Sequence, residues 1–134
     1  MTDLSKNIDS SVDSATWVQI CPLSDIPFDA GIAALVSENT AQEAQIALFR
    51  LLDSDTVYAI SNFDPFSEAN VLGRGILCSI GAELAVASPV LKQHFSLTTG
   101  QCFEDADVSI TTYPVKVSDA MVFVQIPASN PEAM

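Results

Sequence analysis

The chain has 134 residues, 49% of them apolar, which suits one domain with a single core and is too short for two. Its 5 Lys+Arg against 17 Asp+Glu give a net charge of -12, so its surface repels phosphate backbones and anionic lipid, arguing against nucleic-acid or membrane-surface binding. No apolar run reaches the roughly 18 residues of a membrane-spanning helix.

In chain order, residues 1–14 (MTDLSKNIDSSVDS) are acidic and Ser-rich, unlike a secretory leader, and are expected to form a loose tail on a cytoplasmic protein. TWVQICPL reads as a strand running into Pro22, and Leu23–Pro27 has turn chemistry. Gly31–Val36 is a second strand, SENTAQEA a hairpin loop, and QIALFRLLD and TVYAISNF a pair of strands around Asp53-Ser54-Asp55. DPFSEANVLGRGI, from Asp64 to Ile76, is expected to be a long loop with no clean period. Gly81-Ala82-Glu83 is a turn, Glu83–Ala87 a short strand, and HFSLTT a strand ending at Gly100. QCFEDADVSI is an acidic connection, VKV and MVFVQI form a hairpin through Ser118-Asp119-Ala120, and 128–134 is a tail. Short strands with turn signals every 8 to 12 residues or so indicate an all-β sandwich or barrel over 15–127.

The chemistry-bearing residues are few. Cys21, Cys78 and Cys102 are widely spaced, with no CxxC or CxH, and read as buried thiols. A single His excludes any site built on two imidazoles, and Gly73-Arg74-Gly75 is too short for a phosphate loop. Glu104, Asp105 and Asp107 lack the spacing of a calcium loop and read as a solvated turn. Trp17 is expected in the core at the base of the barrel.

Two stretches carry a family signature. YAISNFDPFSEANVL and VASPVLKQHFSLTTG resemble the two cluster-binding loops of the Rieske domain, an all-β antiparallel fold. In that family each loop supplies one Cys and one His to a 2Fe-2S cluster. The resemblance puts Asp64 and Ser88 at the two Cys positions, and Phe66 and Leu91 at the two His positions. Pro65, Pro89, Phe95, Leu97, Thr99 and Gly100 keep the pattern while the four ligands are gone. Phe66 and Leu91 are therefore expected to fill the site with apolar side chains, each contributing about 1.5 to 3 kcal/mol if buried.

A ligand-free Rieske-like chain of this length resembles the small subunits of cytoplasmic NAD(P)H-dependent assimilatory nitrite reductase. The strings DPFSEANVLGRGI and SPVLKQHFSLTTG carry that likeness, which spans roughly residues 16 to 126. It implies a non-catalytic subunit without a cofactor of its own, and a large-subunit partner holding FAD, an iron–sulfur cluster and sirohaem. Lys92, Gln93 and His94 then form a candidate partner surface, with Arg74 a further candidate. Arg74 could instead pair with Asp64, the flanking glycines supplying a positive φ. Asp64 is expected to accept hydrogen bonds from amides of its own loop. The competing readings are an electron-transfer ferredoxin holding a 2Fe-2S cluster on atypical ligands, and a stand-alone regulatory domain that binds a small ligand.

Overall fold

The computed structural model describes residues 15–41, 43–52 and 56–127; both expected tails and the Asp53-Ser54-Asp55 turn lie outside these. Among the described residues there is no α-helix. The strands are β1 (Ala15–Pro22), β2 (Gly31–Val36), β3 (Ala44–Arg50), β4 (Val57–Ser61), β5 (Phe63–Asp64) and β6 (Ala69–Asn70). They continue with β7 (Ile76–Ile80), β8 (Glu83–Ala87), β9 (His94–Ser96), β10 (Thr112–Tyr113), β11 (Val115–Ser118) and β12 (Met121–Pro127). An outer sheet is ordered β1-β12-β11, a central sheet β10-β4-β3-β2, a small sheet β7-β8-β9, and β5-β6 form a ribbon.

The central sheet is covered on both faces. Ile46 and Leu48 of β3 join Ile26, Val36, Val122, Val124 and Ile126 in a core shared with the outer sheet. Ala47 and Phe49, on the opposite face, join Ile60, Leu72, Val86, Phe95, Leu97 and Cys102 in a second core under the small sheet. Four consecutive β3 residues are thus fully buried, which explains why IALF is an unbroken apolar run instead of an alternating one. The first long loop runs from β4 to β7 and the second from β8 to β9, both beside this second core.

Several expectations hold closely. β2 and β8 have the anticipated bounds, and β11 and β12 pair through a two-residue turn. Asp119 and Ala120 there have φ of 54° and 62°, the primed turn that suits strand twist. The 64–76 stretch is more ordered than a plain loop, since it holds the β5-β6 ribbon and a 3-10 turn at Leu72–Arg74. β7, which sequence reading passes over, follows it directly. HFSLTT is a strand only through Ser96, because the Ser96 hydroxyl accepts the N–H groups of Thr98 and Thr99 at 3.2 and 3.1 Å and curls the chain. Gly100 completes that curl at φ 81°, with the Ile110 carbonyl packed where a Cβ would stand.

Trp17 is not in the core. It lies on the solvent face of the outer sheet, 38% exposed, with the Lys116 ammonium 4.7 Å from its ring centroid. Strand alternation decides this: Val18 and Ile20 of β1 point into the first core, so Trp17 must point out. The glycines beside Arg74 are not left-handed either. Gly75 has φ -74°, and a Cβ there would stand 2.5 Å from the Ala87 carbonyl oxygen, so close approach is what excludes a side chain.

Candidate functional site

The two loops meet through their former ligand positions. Asp64 and Ser88 are both buried, and the Ser88 hydroxyl donates to Asp64 Oδ2 at 2.6 Å. Each residue also organises its own loop. Asp64 Oδ1 accepts the Phe66 N–H at 2.9 Å and Oδ2 accepts the Ser67 hydroxyl at 3.0 Å. Ser88 Oγ accepts the Val90 N–H at 3.2 Å. Both bonds to the residue two places on are side-chain turns of the kind short polar residues make. Burial alone would raise the Asp64 carboxyl. The Ser88 hydroxyl, the Phe66 amide and Ser67 outweigh it and hold the group below its ordinary 3.8.

The two former His positions diverge. Phe66 packs half-buried against the second core, its ring centroid 6.1 Å from that of Phe95 with the planes tilted by 41°. Leu91 is 51% exposed and fills nothing, which corrects the expectation that both residues plug the site. The second loop is closed by the Ser88 N–H donating to the Gln93 carbonyl at 2.8 Å, with Lys92 left-handed at φ 73°. That closure throws Pro89, Val90, Leu91 and Lys92 outward together.

The remaining candidates separate. Lys92 is at the exposed tip, and Gln93 is half-buried with Oε1 unbonded among the described residues. His94 turns to the acidic connection, where Nδ1 lies 2.6 Å from Glu104 Oε2 and its N–H donates to Oε1 at 2.8 Å. Desolvation pushes the Glu104 carboxyl up, and the His94 amide and ring outweigh that and hold it below its ordinary 4.5. Arg74 is exposed and not paired with Asp64; it lines a cleft of about 270 Å³ with Gly31, Asn62 and Asn70. Sequence reading missed Asn62, which is buried and accepts the Gly73 N–H at 2.6 Å on Oδ1 while its amide donates to Gln45 at 2.9 Å. It also missed Gln101, whose Nε2 serves the carbonyls of Asp105, Ala106 and Val108 at 3.3, 3.0 and 3.0 Å. The Gln101 amide thus ties down the acidic turn through its backbone carbonyls.

A 2Fe-2S cluster does not fit these residues. Asp64 and Ser88 stand at hydrogen-bond distance from each other, with no gap for iron between them. Phe66 and Leu91 have no donor atom, and His94 faces Glu104. All three cysteines are free, but only Cys102, in the second core, is buried as expected; Cys21, at the end of β1, and Cys78, in the edge strand β7, are half-buried. Among the described residues no group of three or more His, Cys, Asp or Glu side chains could hold a metal ion.

Fold and loops together define a Rieske-like domain whose four ligand positions hold other residues. The comparisons agree: residues 16–125 match the Rieske-like [2Fe-2S] domain family. The nitrite reductase (NADH) small subunit of Escherichia coli K12 is 43% identical over 106 residues, covering 79% of this chain and 94% of that one. The solved E. coli protein NirD superposes with a TM-score of 0.75 at 40% identity, over 85% of this chain and 99% of its own. A segment of the nitrite reductase [NAD(P)H] large subunit of Klebsiella oxytoca is 42% identical over 114 residues, 85% of this chain and 11% of that one. The chain belongs to the Rieske-like family of nitrite reductase small subunits.

Proposed function

We propose that the chain is a non-catalytic subunit of a cytoplasmic NAD(P)H-dependent nitrite reductase serving nitrate assimilation, bound to a large subunit that carries FAD, an iron–sulfur cluster and sirohaem. The observation that carries this reading is the Asp64–Ser88 bond. It joins the two loops where a Rieske cluster would, with a carboxylate and a hydroxyl that are already spent on each other and do not change oxidation state, which supports a tip shaped without a redox centre. A relative in which a similar segment is part of the large-subunit polypeptide supports a constant position beside that subunit. Among the described residues no helix is long and apolar enough to cross a membrane, which is consistent with this setting.

In this role the tip is a contact surface. Val90 and Leu91, 49% and 51% exposed, provide apolar area, and Lys92 is a cation on an otherwise acidic protein. Gln93 and the His94–Glu104 pair brace the loop from behind, and Arg74 is a second, separate cation toward the partner.

The test is to purify the full chain and its large subunit separately, mix them, and record stoichiometry, iron content and visible spectrum. The expected result is a colourless, iron-free chain that forms a stable complex. Stoichiometric iron with charge-transfer bands in the isolated chain would overturn the reading in favour of a ferredoxin. A colourless chain that ignores the large subunit would remove the subunit role.

A further inference from the structure

Sheet edges decide where a β protein accepts another strand, because each leaves a row of N–H and C=O groups unpaired. Most edges among the described residues are blunted. β1 has a register irregularity between Gln19 and Cys21 and ends on Pro22. β10 is two residues long and runs into Pro114, and β11 starts after that proline and carries Lys116. β9 is covered by the following connection through the Phe95–Cys102 bridge. The start of β2 is met by Gly73, whose carbonyl oxygen would stand 2.5 Å from a Cβ on Gly31.

β7 has none of these devices. Ile76-Leu77-Cys78-Ser79-Ile80 contains no charge and no proline, and it pairs with β8 in unbroken register. It is the end strand of its sheet, and among the described residues its backbone bonds go nowhere but β8. Ile76 is 71% exposed, the most exposed large apolar side chain among the described residues. Beside the strand runs a groove of about 430 Å³ lined by Leu51, Leu77, Cys78 and Leu84, in which Asp29 is the one charged residue. Phe28 and Leu52, sequence neighbours of that lining, are 45% and 58% exposed.

We propose that β7 is a strand-addition site, and that an extended segment of the large subunit pairs with it. Backbone bonds along Ile76–Ile80 supply the register, alternate apolar side chains enter the groove, and a Lys or Arg meets Asp29. Charge selects this occupant over a second copy of the chain, since two bodies of net charge -12 repel and a second β7, Ile76–Ile80, has no cation to set against Asp29. The partner's identity rests on the small-subunit reading above; the edge itself does not.

The test uses the full chain and purified large subunit. Amide hydrogen exchange along 76–80 is expected to slow on complex formation, and Ile76→Glu is expected to weaken binding about tenfold or more. With its side chain this exposed, the variant should keep the thermal midpoint of the parent. Unchanged exchange at β7 together with parental affinity of Ile76→Glu would overturn the strand-addition site while leaving the subunit role intact. Absence of any complex with the parent chain would overturn the subunit role, and this partner with it. A homodimer of the free chain that Ile76→Glu dissolves would assign the edge to a second copy and overturn the proposal.

Discussion

The two loops of the tip started from the same plan and have been remade in opposite ways. In the first, Asp64 is buried and Phe66 folds back onto Phe95, so the loop is drawn into the second core. In the second, Ser88 is buried but Val90 and Leu91 turn out to solvent. One loop now serves the interior and the other the surface, and the Ser88 to Asp64 hydrogen bond ties them. Replacing a metal cross-link does not require filling the whole site. It requires satisfying the two positions nearest the core, after which the outer positions are free to serve something else.

The largest expected effect comes from breaking the tie. Asp64→Ala leaves the Ser88 hydroxyl, the Ser67 hydroxyl and the Phe66 N–H without their acceptor in a fully buried place. Urea unfolding should show a loss of about 2 to 4 kcal/mol. Ser88→Ala should cost about 1 to 3 kcal/mol, and the double variant should fall short of the sum by about 1 kcal/mol or more. Strict additivity would mean that the two loops are held independently.

The next effect measures the divergence directly. Phe66→Ala removes a half-buried ring from the second core and should cost about 2 to 3 kcal/mol, below the range for fully buried Phe. Leu91→Ala should stay within about 0.5 kcal/mol, as for other exposed sites. Equal losses would restore the symmetric picture in which both residues plug the site. The reverse order should hold for binding to the large subunit, where Leu91→Ala weakens the complex and Phe66→Ala does not.

Acid separates the loops in a third way. A carboxyl whose folded pKa lies below its unfolded value adds stability that is complete above the unfolded value and is lost as the pH falls through the folded one. Asp64 and Glu104 are both of this kind, so stability should decline from about pH 4.5 downward, near the ordinary values of 4.5 and 3.8. Asp64→Asn keeps a group of the same shape beside Ser88 and should flatten the lower part of that decline. Glu104→Gln should change it less, because the His94–Glu104 pair is solvent-exposed and screened. An acid limb identical in Asp64→Asn and the parent would show that Asp64 is not held low.

The sequence carried the fold class and the four substituted positions, because a family pattern survives in Pro65, Pro89, Phe95 and Gly100 even when its ligands do not. It did not carry the Asp64–Ser88 bond, whose partners lie 24 residues apart in different loops and meet only in the folded chain. It did not separate Phe66 from Leu91 either, since both are apolar and loop direction is set by backbone closure at Gln93. Trp17 was misplaced because an aromatic in a β1-like run fits either face, and only the pairing with β12 chooses. β7 escapes sequence reading because ILCSI follows two glycines and shows no clean alternation of apolar and polar residues. The same plainness leaves it open as an edge.

The smallest expected effect is also the one that best parts stability from binding. Each loop contains one non-glycine residue in the left-handed region, Glu68 at φ 57° in the first and Lys92 at φ 73° in the second. For a residue with a Cβ that conformation is strained, by about 1 to 2 kcal/mol relative to the right-handed one. Glycine relieves the strain but adds unfolded-state entropy, so Glu68→Gly and Lys92→Gly should each stabilise by about 0.5 kcal/mol net. If the second loop is surface built for a partner, Lys92→Gly should raise the thermal midpoint and yet weaken binding to the large subunit, while Glu68→Gly raises the midpoint alone. Calorimetry and a binding titration on the same two variants decide it. A Lys92→Gly chain that is both steadier and equally well bound would show the strain at the tip to be without use, and the cation with it.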